Sequence, residues 1–118
     1  MKRILIAVSI LLVALSLPLS AETVKGYLID KMCSAKVAKE GVDAAKAHTK
    51  DCALMADCKS SGYGVVNSDG KFLKFGADGD RMAAKMLGLD DREDNIKVSV
   101  SGTVTGSSMT VIAIQFTS

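Results

Sequence analysis

The sequence predicts a mainly β, α+β protein built as a small five-stranded OB-like barrel. Short segments of alternating apolar and polar residues occur before and after the middle of the chain, and an Asp-Gly turn at residues 67–70 separates two of them. A helical pattern lies between the third and fourth of these segments, which is the element order of such a barrel. A small open sandwich or α+β roll has the same local pattern and stays an alternative.

Residues 1–21 are typical of a secretory signal peptide. Lys2 and Arg3 precede an apolar run over residues 4–17, and Ala21 is a small residue after which a peptidase could cut. The run is short for a membrane span, which makes a retained anchor the weaker alternative. We therefore expect a periplasmic or secreted mature domain at residues 22–118, with no membrane span after signal cleavage.

The expected mature domain has nearly balanced charge. The chain carries 15 Lys and Arg against 13 Asp and Glu, and loss of Lys2 and Arg3 leaves 13 basic residues (15 − 2). A neutral domain without a basic run gives no electrostatic reason to expect nucleic acid or an anionic membrane surface as partner. Its length suits one domain with a single core.

The scaffold elements follow from the periodicity of the chain. We expect a first strand at residues 23–30, with a bulge or bend at Gly26. A helix begins near Asp78, and Gly88 suits its C-terminal cap. The remaining strands are predicted at residues 63–66, 72–75, 96–104 and 109–116, with a charged surface loop at residues 90–95.

A helical insertion is expected at residues 33–61, between the first two strands. This segment is rich in Ala and Lys and is broken at Gly41, so it predicts one helix at about residues 34–40 and another from about 43 to 57, with a break at Thr49. OB-like barrels bind ligands at this loop. The insertion contains all the cysteines and the one histidine of the chain: Cys33, His48, Cys52 and Cys58.

The spacing of these four residues limits how they can meet. His48 and Cys52 lie on one face if the helix is continuous there. Cys58 would point away in an unbroken helix, so the helix must end near Ala56 for Cys58 to join them. Cys33 arrives separately, from the end of the first strand.

The first interpretation of this cluster is a tetrahedral Cys₃His metal site. Such a set binds zinc as a structural ion, and here the ion would fix a long insertion with little apolar content. Zinc is favoured, and copper is possible because Met32 and Met55 adjoin the site. The expected metal ligands are Cys33, His48, Cys52 and Cys58.

Two further interpretations stay open. In one, a disulfide joins Cys33 to Cys52 or Cys58, and the domain is an interaction module whose partner is an envelope protein or component. The odd cysteine would then be buried or pair between chains. In the other, Cys52 beside His48 acts as a redox thiol or nucleophile. Because the chain has no C-x-x-C motif and no second histidine, we expect a binding protein and not an enzyme.

Five short motifs are spread over nearly the whole expected mature chain. They are Gly26-Tyr27-Leu28-Ile29-Asp30 with Cys33, His48-Thr49-Lys50-Asp51-Cys52 with Cys58, Gly62-Tyr63-Gly64, Gly70-Lys71 and Val98-Ser99-Val100-Ser101-Gly102. In these motifs the chain resembles a group of small exported bacterial OB-like domains. The resemblance implies the fold and the Cys/His site, and it implies no particular activity.

Overall fold

The computed structural model describes residues 21–118, so the expected signal peptide lies outside the described residues except for Ala21. Five strands and five helices are present in this part of the chain, which confirms the mainly β, α+β prediction. In chain order they are β1 (Glu22–Asp30), α1 (Lys31–Glu40), α2 (Val42–Ala47), α3 (Lys50–Ala53), α4 (Ala56–Ser61), β2 (Tyr63–Val66), β3 (Phe72–Phe75), α5 (Ala77–Leu89), β4 (Lys97–Thr105) and β5 (Ser108–Phe116).

The five strands form one sheet that closes in the order β1-β2-β3-β5-β4. Closure depends on the length of β1, which pairs with β4 from Glu22 to Tyr27 and with β2 from Tyr27 to Asp30. The pairs β2–β3 and β4–β5 are antiparallel hairpins, and β3 pairs with β5 in parallel. The pairing of β1 with its second partner, β2, ends at Asp30, where the helical insertion begins.

Gly26 of β1 lies close to the backbone of β2. A Cβ atom at this position would lie 1.9 Å from the backbone oxygen of Val66, so a side chain does not fit. Of the bulge or bend predicted at Gly26, the bulge is wrong, because the pairing of β1 with β4 is continuous there. The shift in strand register occurs instead between Ser101 and Gly102 of β4.

Helix α5 packs on the barrel and contributes Ala83 and Leu87 to the main core. The predicted cap at Gly88 is wrong: α5 continues to Leu89, and Asp90 caps it in an extended conformation by donating its N–H to the Met86 carbonyl. A cap of this kind needs no positive φ and hence no glycine. Within residues 21–118 no helix has both the length and the apolar content that a membrane span requires.

The barrel has apolar clusters inside and outside. The interior cluster contains 13 buried residues, among them Leu28, Tyr63 and Val98. A smaller cluster lies on the outer face, where Ile29 and Val66 of the sheet contact residues of α1 and α2. The insertion is thus attached to the outside of the sheet next to the end of β1.

Candidate metal site

The insertion, defined here as residues 31–61, begins and ends at the same place in the sheet. The last residue of β1 pairs with the first residue of β2, and the Lys31 N–H donates to the Gly62 carbonyl at 2.8 Å. The N–H of Met32 also donates to Ser61 Oγ at 3.1 Å. These bonds place the start of α1, which carries Cys33, beside the end of α4.

Four short helices form the insertion, where the sequence predicts two. Helix α1 begins at Lys31 because the Asp30 carboxylate accepts the N–H of Cys33 at 3.0 Å. Thr49 begins α3 in the same way, with Oγ1 accepting the N–H of Cys52 at 3.1 Å. His48 therefore lies in extended backbone between α2 and α3. The predicted break at Thr49 is confirmed, so the condition of a helix continuous through His48 and Cys52 is not met.

The three cysteine side chains converge from three different helices. Their Sγ atoms lie within 4.8 Å of one another, with Cys33 on α1, Cys52 on α3 and Cys58 on α4. The chain turns between Ala53 and Ala56, as Cys58 requires in order to approach Cys52. All three thiols are free, so the structure contains none of the disulfides that the interaction-module interpretation expects.

A buried carboxylate and a buried imidazole lie beside the sulfur atoms. The Asp30 side chain is 0% exposed, the His48 side chain is 6% exposed, and Oδ1 and Nε2 of the pair are 2.8 Å apart. Despite this short distance, Oδ1 and both ring nitrogens make no hydrogen bond of acceptable geometry within the described residues. Buried polar atoms normally have partners, because leaving one unsatisfied costs roughly 1–3 kcal/mol. A metal ion is one partner that would satisfy the imidazole.

Cys33 connects the sulfur atoms to this buried pair. Ligand atoms of Asp30, Cys33 and His48 also lie within 4.8 Å of one another. The structure thus places the three cysteines in one group of possible ligands and Asp30, Cys33 and His48 in another, with Cys33 common to both. Asp30 is not among the ligands that the sequence predicts. Sequence reasoning missed Asp30, although a carboxylate that ends an apolar strand three positions before a cysteine is a usable signal.

The buried surroundings change the acidity of these groups. Burial opposes ionisation of Asp30, but the neighbouring His48 and the Cys33 N–H outweigh it and lower the Asp30 pKa below its ordinary 3.8. Burial raises the pKa of Cys33 to about 12, and the nearby Asp30 and Cys52 add to the effect. Burial also raises the pKa of Cys58. Both thiols are therefore protonated at neutral pH unless a metal ion displaces the proton, whereas reactive thiols have lowered pKa values.

A cleft of about 270 Å³ opens onto the cluster from one side. Cys33, His48 and Cys52 line it, together with both apolar and charged residues of α1 and α2, among them Lys36 and Glu40. Cys58 is 5% exposed and is not part of the cleft lining. An ion bound by the sulfur atoms would accordingly be shielded from solvent on the side of Cys58. It would be accessible through the cleft on the side of Cys33 and Cys52.

Comparison of the chain with protein-family models, curated proteins and solved structures finds no significant match. The function of this protein is therefore inferred from the geometry and chemistry of the Cys/His/Asp cluster.

Proposed function

We propose that this protein is a small exported domain that binds one Zn²⁺ ion through Cys33, His48, Cys52 and Cys58. The convergence of three thiols from three helices, with the buried His48 imidazole beside Cys33, carries this proposal. Three thiolates and one imidazole form a known tetrahedral donor set for zinc. The protein binds the ion and is not an enzyme, in keeping with the raised pKa values of Cys33 and Cys58.

The distances among the three sulfur atoms suit a single ion. Sulfur ligands at about 2.3 Å from a tetrahedral zinc ion lie roughly 3.8 Å from one another. The three Sγ atoms already lie within 4.8 Å of one another, so small side-chain movements bring them to ligand distance. Ion binding displaces the thiol protons, and this makes zinc affinity increase with pH.

Asp30 acts as a positioning residue behind His48. Metal-binding imidazoles commonly contact a carboxylate through the nitrogen that does not bind the metal, and the carboxylate fixes the orientation of the ring. Oδ1 of Asp30 lies 2.8 Å from Nε2 of His48. Nδ1 is then the nitrogen that binds the ion, which gives this buried atom the partner it lacks within the described residues.

The proposal includes a structural role for the ion and an OB-type barrel as its scaffold. The strand order, and the position of α5 between β3 and β4, support the OB assignment. The ion would cross-link α1, α3 and α4 in the loop where such barrels bind ligands. Export to the periplasm or the exterior rests on the signal-peptide pattern of residues 1–21.

Native mass spectrometry of the mature protein, purified without reductant or added metal, tests the proposal. We expect one zinc ion per chain and three titratable thiols after denaturation. Cys58→Ser should abolish zinc retention, whereas Asp57→Asn, which changes an exposed neighbour on the same helix, should retain it. A chain two hydrogens lighter, with one free thiol and no metal, would contradict the proposal and favour the disulfide-closed interaction module.

A further inference from the structure

We infer that the same three cysteines also form an all-sulfur site for Cu(I), in which the Met32 thioether replaces His48 as the fourth ligand. The inference rests on the proposed function, since it uses the same thiol cluster. Its observation is separate: Sδ of Met32 lies 4.0 Å from Sγ of Cys58. The Cys58 thiol donates a hydrogen bond to this thioether, so the structure places a fourth sulfur atom beside one of the three clustered cysteines.

The separation between these sulfur atoms matches that of two ligands on one ion. Sulfur atoms bound at about 2.3 Å lie roughly 3.8 Å apart in a tetrahedral site and about 4.0 Å apart in a trigonal one. The backbone of Met32 is held in place, because its N–H donates to Ser61 Oγ at 3.1 Å and ties α1 to the end of α4. The backbone from which the thioether extends is therefore fixed by the fold and is not part of a flexible loop.

Core packing does not explain Met32. Methionine usually fills gaps in a core, as Met109 does at 1% exposure, but Met32 is 54% exposed. An exposed thioether next to a buried thiol has little packing value and full capacity to bind a soft ion. Thiolate and thioether ligands select Cu(I), whereas imidazole also suits zinc.

The two ions would differ in their fourth ligand and share the other three. Zn²⁺ uses His48, which Asp30 orients from behind. Cu(I) uses Met32, on the side of the cluster where Cys58 lies. Because the cleft reaches Cys33 and Cys52 from solvent, an incoming sulfur ligand can replace one of these bonds without a change in the copper oxidation state. Copper bound in this way is exchangeable cargo.

Anaerobic competition titrations of the metal-free, full mature protein test the inference. Cu(I) is titrated against the colorimetric chelator bicinchoninate, and Zn²⁺ is titrated against a zinc-binding dye. We expect Met32→Leu to lower the ratio of Cu(I) affinity to Zn²⁺ affinity by about tenfold, and His48→Ala to raise it by about tenfold or more. Met55→Leu is the matched control. The sequence also pointed to Met55, but this residue is 60% exposed and the sulfur contact to Cys58 is made by Met32, so the change should leave the ratio unchanged.

The number of sulfur ligands on copper distinguishes a metal-binding role of Met32 from a structural one, because a purely structural role would leave this number unchanged. X-ray absorption at the copper edge should show only sulfur neighbours in the wild type and one sulfur neighbour fewer in Met32→Leu. An unchanged affinity ratio in Met32→Leu, or equal weakening of both ions, would overturn the inference while the zinc site stands. Failure of the wild type to bind either ion would overturn the inference together with the proposed function.

Discussion

The barrel buries a continuous set of apolar side chains, whereas the insertion of residues 31–61 buries only Val37, Ala45, Ala53 and Cys58. Of the 13 buried residues in the interior cluster, only Ala53 belongs to the insertion. The barrel therefore obtains its stability from the hydrophobic effect. The insertion contributes little apolar area and must be ordered by other interactions.

Hydrogen bonds to the barrel and to its loops are one such interaction. The Tyr63 hydroxyl donates to the Ala53 carbonyl at 2.7 Å, and the Asn95 N–H donates to the Lys46 carbonyl at 2.9 Å. The helices of the insertion have only 4 to 10 residues, and isolated helices shorter than about 12 residues are marginal in water. Cross-linking of α1, α3 and α4 by a metal ion would supply the missing stability, so the two regions should respond differently to metal.

Metal removal is expected to have the largest effect, and to act on the insertion alone. At a free zinc concentration a thousand times the dissociation constant, binding stabilises the bound state by about 4 kcal/mol. Amide hydrogen exchange followed by mass spectrometry should show residues 31–61 exchanging up to about a thousandfold faster after chelation. Peptides from β4 and α5 should keep their protection.

A uniform loss of protection would contradict this comparison. If chelation speeds exchange in β4 as much as in the insertion, the barrel depends on the ion and the two regions form one cooperative unit. The metal-free Cys58→Ser variant, treated with the same chelator, controls for effects of the chelator itself.

Gly26→Ala should have the next largest effect, and should act on the barrel. The new methyl carbon would lie 1.9 Å from the Val66 oxygen, so β1 and β2 must separate. Overpacking of this kind lowers the free energy of unfolding by roughly 1–3 kcal/mol, and we expect a value near the upper limit because the contact is with backbone. Chemical denaturation of the metal-free protein measures this decrease in the free energy of unfolding.

Gly88→Ala is the matched control for this change. A Cβ atom at Gly88 meets nothing within 4 Å, and the position lies inside α5. Alanine there should raise the free energy of unfolding by about 0.5–1 kcal/mol. Equal effects of the two substitutions would show that the close approach of β1 and β2 does not limit stability.

Features that depend on neighbouring residues along the chain could be predicted from the sequence. The strands depend on local alternation, and the β2–β3 turn depends on Gly70, whose φ of 79° favours glycine, so both were predictable. The errors involve one longer-range contact and one local capping interaction. Gly26 looked like a bulge because the approach of Val66 is not visible in its neighbours along the chain, and Asp90 replaced Gly88 as the cap of α5.

The cysteines and the histidine of the candidate site were predictable, whereas the carboxylate beside them was not identified. Residue type and spacing point to Cys33, His48, Cys52 and Cys58. Asp30 was not identified. Its position three residues before Cys33 is a usable signal, but its burial results from the insertion folding back over the end of β1.

Asp30→Asn should have a smaller effect than metal removal or Gly26→Ala. It should involve both the barrel and the insertion, since Asp30 ends β1 and caps α1. Asparagine can still accept the Cys33 N–H, but it removes the charge that faces His48. We expect the free energy of unfolding of the metal-free protein to fall by about 2 kcal/mol at neutral pH. Zinc affinity should fall by about ten- to a hundredfold. Asp51→Asn, at an exposed position in α3, is the control.

The pH dependence of the free energy of unfolding distinguishes a charge effect of Asp30 from a packing effect. The folded-state pKa of Asp30 is lower than its ordinary 3.8, so the carboxylate stabilises the fold above pH 3.8, and this contribution is lost as the pH falls through the folded-state value. The stability difference between the wild type and Asp30→Asn should therefore shrink on acidification below pH 3.8. A difference that stays constant down to the acid limit would assign Asp30 to packing alone and would remove the carboxylate as the group that orients His48.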